Sequence, residues 1–205
     1  MKIGIIGAGA SGMMAAITAA KLGAEVTLIE KKDRVGKKIL ATGNGKCNFT
    51  NISISDIDYN SQCKTIYSDY MSQFDEKDTI SFFKSTGMLI KNKNGYCYPR
   101  SEQASTILDL LRLQLKNFNV SVLTQQSPVS VKKRKKGFEV ILCNHEKLYF
   151  ERIILACGSF AGEKFRDNDS GYTYAKEFGH TIIPVVPALV QVRAKGKELD
   201  RKSVV

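Results

Sequence analysis

Lys2-Ile3-Gly4-Ile5-Ile6-Gly7-Ala8-Gly9-Ala10-Ser11-Gly12 is the stretch whose reading decides the fold, together with Glu25-Val26-Thr27-Leu28-Ile29-Glu30 downstream. Residues 2–6 are short and apolar, the pattern of a buried strand. Residues 10–22 are rich in Ala and Met and predict a helix closed by Gly23. Residues 25–30 predict a second strand. Strand, helix and strand within thirty residues make a βαβ unit, which implies parallel pairing and a right-handed crossover. Gly7, Gly9 and Gly12 fit G-x-G-x-x-G, a pattern that recurs by chance elsewhere but here leaves a strand and opens a helix. Gly7 permits the tight turn, Gly9 lets a pyrophosphate approach the backbone, and Gly12 lets helix and strand pack closely. The helix start, with Ala10 and Ser11, offers free N–H groups and about half a positive charge to phosphates. Glu30, at the end of the second strand, suits hydrogen bonds to both ribose hydroxyls of an adenosine and would repel a 2′-phosphate. That argues against NADP at this position. Lys31 follows it as a candidate cofactor contact. The pattern suits FAD and NAD equally.

The 205 residues hold 31 Lys and Arg against 20 Asp and Glu, a formal charge of +11, and 43% are apolar. This is globular usage, which excludes a wholly disordered chain, a collagen and a coiled coil. The five cysteines (Cys47, Cys63, Cys97, Cys143, Cys157) are odd in number and form no C-x-x-C pair. A zinc ribbon, a thioredoxin-type motif and a secreted disulfide framework are thereby disfavoured, and a reduced cytoplasm is the expected home. The small and apolar N-terminus imitates a signal peptide, but Gly4, Gly7, Gly9 and Gly12 would break its helix. No apolar run reaches membrane-spanning length, so no membrane partner is expected. With two histidines and no clustered ligands, no metal site is expected. The basic excess sits in residues 1–50 and 101–150 and fits an anionic partner or a phosphate-bearing cofactor. Lys132-Lys133-Arg134-Lys135-Lys136 imitates a nucleic-acid-binding run, yet it crosses a predicted turn and has no interleaved aromatics, so it reads as a solvated turn.

Residues 31–61 are polar and aperiodic, a long loop of the kind that is functional or disordered. Helices are predicted at 62–73 and at 76–86, the second capped by Asp75. A hairpin is predicted at 88–98, turning at Asn94-Gly95. A helix is predicted at 102–116 with Ser101 as cap and Ala104, Ile107, Leu108, Leu111 and Leu115 on one apolar face. A strand at 120–124 precedes a meander of strands at 128–133, 137–143 and 147–151. A buried strand over Ile153-Ile154-Leu155-Ala156, a helix at 171–178 ended by Gly179 and a strand at 181–186 complete the reading.

A long loop, then a meander, then Ile154-Leu155-Ala156-Cys157-Gly158 resembles the glutathione-reductase-type FAD domain, an α/β fold whose central parallel sheet carries an added β-meander. The resemblance implies that Ala156 and Gly158 lie near the cofactor and that Val129 passes the adenine. The C-x-x-x-x-C pair of the disulfide reductases is missing, since only Cys47 lies in that region. A closer resemblance lies in Gly36-Lys37-Lys38-Ile39-Leu40-Ala41-Thr42-Gly43-Asn44-Gly45-Lys46-Cys47-Asn48-Phe49-Thr50-Asn51. It is similar to G-x-K-x-x-x-T-G-x-G-R-C-N-x-T-N of the bacterial aminoacetone-oxidase-type or bile-acid-reductase-like NAD(P)/FAD-dependent oxidoreductases. Gly95-Tyr96-Cys97-Tyr98-Pro99-Arg100-Ser101 with Ala104, Asp169-Ser170-Gly171-Tyr172 with Gly179-His180, and Pro187-Ala188-Leu189-Val190 resemble three further blocks of that family, in order. Lys46 replaces the family's Arg, keeping charge but losing bidentate geometry. Ser159 stands where a second Gly is common.

The resemblance implies an FAD-dependent oxidoreductase, or its N-terminal FAD-binding fragment, moving a hydride through flavin N5 to or from a small molecule, with NAD(P)H as an electron donor. It implies that residues 31–61 line the flavin, with Lys38, Thr42, Lys46 and Asn48 as donors, Gly43 giving close backbone approach and Cys47 nearby. Residues 1–190 are expected to be the FAD-binding domain, with the meander at 127–151. Residues 191–205 are expected to begin a second, substrate domain cut short in this chain. The alternatives are an RNA-associated flavoprotein and a non-catalytic nucleotide-binding fragment. Nucleic acid is not the expected partner, and no catalytic acid or base stands out.

Overall fold

A computed structural model describes residues 1–55, 58–59, 64–159 and 170–185. The chain divides into two compact units, Met1–Gly158 and Ser159–Val205. In the first, β1 (Lys2–Ile6), α1 (Ala10–Lys21) and β2 (Glu25–Ile29) form the expected βαβ unit. α1 ends at Lys21, whose charge suits the helix C-terminus, and the chain reverses at Gly23 with φ +85°. The long loop contains a kinked 3₁₀ segment, Ile39–Gly45, and a two-residue strand, β3 (Thr50–Asn51), both unforeseen from its polar composition.

α2 (Lys64–Met71) and α3 (Glu76–Ser85) follow, then the hairpin β4 (Ile90–Lys93) and β5 (Tyr96–Pro99). Residues 62–63 of the helix expected at 62–73 lie outside the described residues. α4 (Ala104–Asn117), β6 (Ser121–Leu123), the meander β7 (Pro128–Arg134), β8 (Gly137–Leu142) and β9 (Lys147–Phe150), and β10 (Arg152–Leu155) complete this unit.

A parallel four-stranded sheet runs in the order β10-β1-β2-β6, while β3-β5-β4 and β7-β8-β9 are separate antiparallel sheets. Alternation sorts the parallel strands into two faces. Ile3 and Ile5 pair with Val26 and Leu28, and these four join Met13, Ala16, Ile17, Leu108 and Leu111 in one apolar core under α1 and α4. Gly4 lies on the opposite face, under the meander, where a Cβ would come within 2.5 Å of the Phe150 ring. The unit is therefore layered as helices, parallel sheet and meander. Fully burying a side chain such as Ile5 or Leu28 contributes roughly 1.5–3 kcal/mol.

Asp75 caps α3 as expected. Its Oδ1 accepts the Lys77 and Asp78 amides at 2.8 and 2.9 Å, and Asp78 Oδ2 accepts the Asp75 amide at 3.1 Å. The Asp78 amide, chiefly, holds the Asp75 carboxyl below its ordinary range. A depressed carboxylate stabilises the fold at pH above the usual carboxylate range, and that stabilisation is lost as pH falls through the folded value. Acidification is thus expected to lower the amide protection factors at Lys77 and Asp78, taken relative to intrinsic exchange at each pH, before the core opens, and Asp75→Ala to remove this pH dependence. Equal acid response in both proteins would contradict the cap.

Ser101 does not cap α4. Glu102 takes φ +53°, held by ion pairs to Lys91 at 3.3 Å and Lys93 at 2.5 Å, so the helix starts two residues later with Gln103 as cap residue. Ser101 instead shares a 2.7 Å hydrogen bond with the Thr106 hydroxyl. In the second unit, α5 (Ser170–Glu177) ends as expected at Gly179, with φ +86°. Residues 181–185 are not a strand: they carry no regular structure, with Ile183 and Val185 largely exposed. Asp169, residues 187–190 and residues 191–205 lie outside the described residues.

Candidate functional site

The glycine turn joins β1 to α1, and its three glycines differ in kind. Gly7 has φ +102°, donates its amide to Ile29 O at 2.8 Å, and a Cβ there would meet Ala156 O at 2.3 Å. A Cβ on Gly12 would meet Gly7 O at 1.9 Å. Both glycines are demanded by the chain's own packing. Gly9 is not: its φ is −76°, and a Cβ there meets nothing within 4 Å. Gly9 is also the cap residue of α1. It has no side chain to accept the first-turn amides, and no acidic residue occupies that turn. The start of α1 thus presents N–H groups, including those of Ser11 and Gly12, beside an open space.

The other predicted positions gather at this turn to different degrees. Glu30 accepts the Ala8 amide at 2.8 Å and the Lys32 amide at 2.9 Å, one on each carboxylate oxygen. Its carboxylate is fixed to the glycine turn and keeps further acceptor capacity on both oxygens. Ala156 donates its amide to Ile6 O at 2.8 Å, packs against Gly7 and Gly12, and leads to exposed Gly158 with φ +82°. Lys31 is exposed, Lys38 is half-buried, and both have interaction partners.

Residues 123–126 run alongside residues 30–32. Glu30 donates its amide to Leu123 O at 2.8 Å, Gln126 to Glu30 O at 3.0 Å and Gln125 to Lys32 O at 2.9 Å. Val129 follows on β7, where the pairing with β8 shifts register between Pro128 and Ser130, and it is 62% exposed. A hydrophobic residue so exposed at a bulge is free to contact a ligand.

The long loop is anchored at its base. The Gly36 amide donates to Ala8 O at 2.8 Å, so Ala8 receives the loop on its carbonyl and Glu30 on its amide. A Cβ on Gly36 would come within 2.2 Å of Leu108 Cδ1. Arg112 donates to Val35 O at 3.1 Å, and Val35, Ile39 and Cys47 sink into the core with α4. Between those anchors, Leu40–Lys46 is exposed and turns through Gly43, Asn44 and Gly45, all with positive φ. Thr42 donates its hydroxyl to Ile39 O at 2.6 Å. Lys46 and Asn48 are exposed, whereas Cys47, with φ +54°, turns its thiol into the apolar core. The loop is therefore a surface arch on a buried footing.

Sequence reading passed over Ala8 and Gln126. Ala8 was legible in principle as the residue between two glycines. The strand-end bonds of Gln126 have no local signal.

A family model described as the HI0933-like protein Rossmann domain matches residues 1–200. The chain belongs to this family. It is 43% identical over 196 residues to the 3-dehydro-bile acid delta(4,6)-reductase of Clostridium scindens, covering 95% of this chain and 48% of that protein. It is 30% identical over 186 residues to the ribosomal RNA dihydrouridine synthase of Escherichia coli, covering 91% of this chain and 46% of that one. The chain spans about half the length of these curated relatives. The open conformation of a flavocytochrome c3 fumarate reductase shares the fold, with a TM-score of 0.61 and 18% identity over 86% of this chain and 40% of that one. The HI0933-like fold is thus an α/β Rossmann domain whose parallel sheet places the glycine turn at its carboxyl edge.

Among the described residues no His, Cys, Asp and Glu side chains cluster as a metal site, and no helix is long and apolar enough to cross a membrane.

Proposed function

We propose that this chain is the cofactor-holding part of a flavin-dependent oxidoreductase, with FAD as the cofactor, a small molecule as the substrate and NAD(P)H as the electron donor. The observation that carries the reading is Gly9: it is the glycine of the motif for which the chain has no internal use, set at an uncapped helix start. A pyrophosphate fills that role, because it needs bare backbone and accepts the amides that a side-chain cap would otherwise satisfy. Gly7 and Gly12 hold the turn closed, and Ala10, Ser11 and Gly12 aim their amides. Glu30, fixed by Ala8 and Lys32, holds the ribose end, with Lys31 and Val129 beside the adenosine. Lys38, Thr42, Gly43, Lys46 and Asn48 on the arch, with Ala156 and Gly158 after β10, line the flavin side. Cys47 serves as the arch's buried footing. When bound, FAD supplies hydride acceptance and donation at N5. The relative named for a 3-dehydro-bile acid favours a small-molecule substrate.

The test is the visible spectrum of the purified chain, with chromatography of what acid denaturation releases. A two-band flavin spectrum and released FAD are expected, followed by bleaching on mixing with NADH or NADPH. A colourless chain that takes up no added FAD, both at this length and extended to the length of its relatives, would overturn the reading. A second reading, an RNA substrate, is favoured by the charge of +11 and by the relative named for ribosomal RNA. Turnover of RNA in preference to steroids would select it.

A further inference from the structure

The meander places an aromatic where the linear sequence shows none. Directly paired residues of antiparallel strands share a face. Lys132 pairs with Glu139, and Glu139 with Tyr149, so the three stand in one row across β7, β8 and β9. Two residues along, Arg134 stands on the same face, and Lys147 joins it through its pairing with Ile141. The opposite face carries Val131, Val140 and Leu142, all buried, so the outer face is the one solvent meets.

The charge of the meander is one-sided. Residues 130–149 hold six Lys and Arg against two Glu. Of these, Glu139 is committed to its neighbours: it accepts Arg134 at 2.6 Å and the Tyr149 hydroxyl at 3.0 Å. Tyr149 is 60% exposed, and the hydroxyl bond holds its ring in place. Lys132, Lys147 and the turn residues Lys135 and Lys136 are exposed, and among the described residues none of them has an ion pair. Paired surface charge would serve solubility as well. Unpaired cations on this face and its turn, on the same side as an anchored, exposed aromatic, suit a polyanion that also has rings to stack, which an acidic peptide lacks.

We propose that the outer face of the β7-β8-β9 meander and the turn that joins β7 to β8, with Tyr149 as the stacking platform and Lys132, Lys135, Lys136 and Lys147 as phosphate contacts, dock single-stranded RNA. The surface accompanies the second substrate reading above, but its test reads binding rather than turnover, so its failure leaves the flavin reading untouched.

The test is fluorescence anisotropy of a labelled oligouridylate titrated with the 205-residue chain at several salt concentrations. Lys132, Lys135, Lys136 and Lys147 are replaced together by Ala. A control protein loses four exposed lysines elsewhere: Lys21, Lys77, Lys84 and Lys116. The meander variant is expected to weaken binding at least about tenfold. Its salt slope should fall by nearly three, at roughly 0.7 per lost phosphate contact on a single strand. The control should bind nearly as the parent does. Tyr149→Ala is expected to weaken binding without changing the salt slope, and Tyr149→Phe to keep it. Circular dichroism checks that all variants fold. Equal losses in meander and control variants would reduce the effect to net charge and overturn the proposal. So would a parent chain that ignores RNA, or one that binds vesicles of equal phosphatidylserine and phosphatidylcholine instead.

Discussion

Gly9→Ser is expected to leave the melting temperature unchanged or slightly raised while weakening FAD binding. The Gly9 backbone is already extended, with φ −76° and ψ −168°, and a Cβ meets nothing within 4 Å, so serine fits without strain. Its hydroxyl then caps the Ser11 or Gly12 amide, contributing a few tenths of a kcal/mol relative to glycine. Those amides are the ones proposed to hold the pyrophosphate. Hydrogen bonds to a charged partner are worth about 1.5–3 kcal/mol each, so affinity should fall roughly tenfold or more. Gly12→Ala should do the reverse. A Cβ 1.9 Å from Gly7 O must push helix from turn, and neither is a flexible side chain, so stability should drop by about 3 kcal/mol. Thermal melts with and without FAD, read beside flavin titration, separate the two. A Gly9→Ser protein that retains full FAD affinity would sink the proposed site, and a Gly12→Ala protein with parental stability would sink the packing account.

The second large effect is expected at Leu108. This side chain is 1% exposed, sits in the core under α1 and closes over Gly36, where the long loop leaves the glycine turn. Leu108→Ala removes core volume at a cost of about 2–5 kcal/mol. At roughly 2–4 °C per kcal/mol for a chain of this size, the melting temperature falls by about 4–20 °C. The same change loosens the footing that Gly36, Ile39 and Cys47 give the arch, so flavin affinity should fall with it. Leu113, 49% exposed on the same helix, provides the contrast: Leu113→Ala should stay within about 0.5 kcal/mol and leave the flavin in place. Equal losses from the two substitutions would mean that α4 does not support the loop.

Locally encoded features were legible in the residues. The βαβ unit, the Asn94-Gly95 hairpin, the Asp75 cap and the meander each rest on periodicity or turn chemistry within a few residues. What escaped depends on distant partners. Ser101 lost its cap role because Lys91 and Lys93 hold Glu102 in a left-handed turn. Thr181-Ile182-Ile183-Pro184-Val185 is apolar enough to predict a strand, yet, among the described residues, 181–185 have no pairing partner. Among the site residues, the glycines and Glu30 announce themselves by spacing. The burial of Cys47 and the arrival of Tyr149 beside Lys132 follow from tertiary packing and strand register, which no short window contains.

The sheet order also sets a timetable. β1 is made first, but its parallel neighbour β10 lies some 150 residues downstream, and the two are tied together by pairs such as Ile5 with Ile154 and by the Lys2 amide on Glu151. At roughly 5–20 residues per second, a ribosome needs about 8–30 s to deliver that partner. Throughout that interval β1 has its β2 neighbour and a bare edge on the other side. This nascent chain is therefore exposed to wrong pairing for far longer than its local motifs need to form, and a chaperone that shields the first thirty residues would act at the moment of greatest risk.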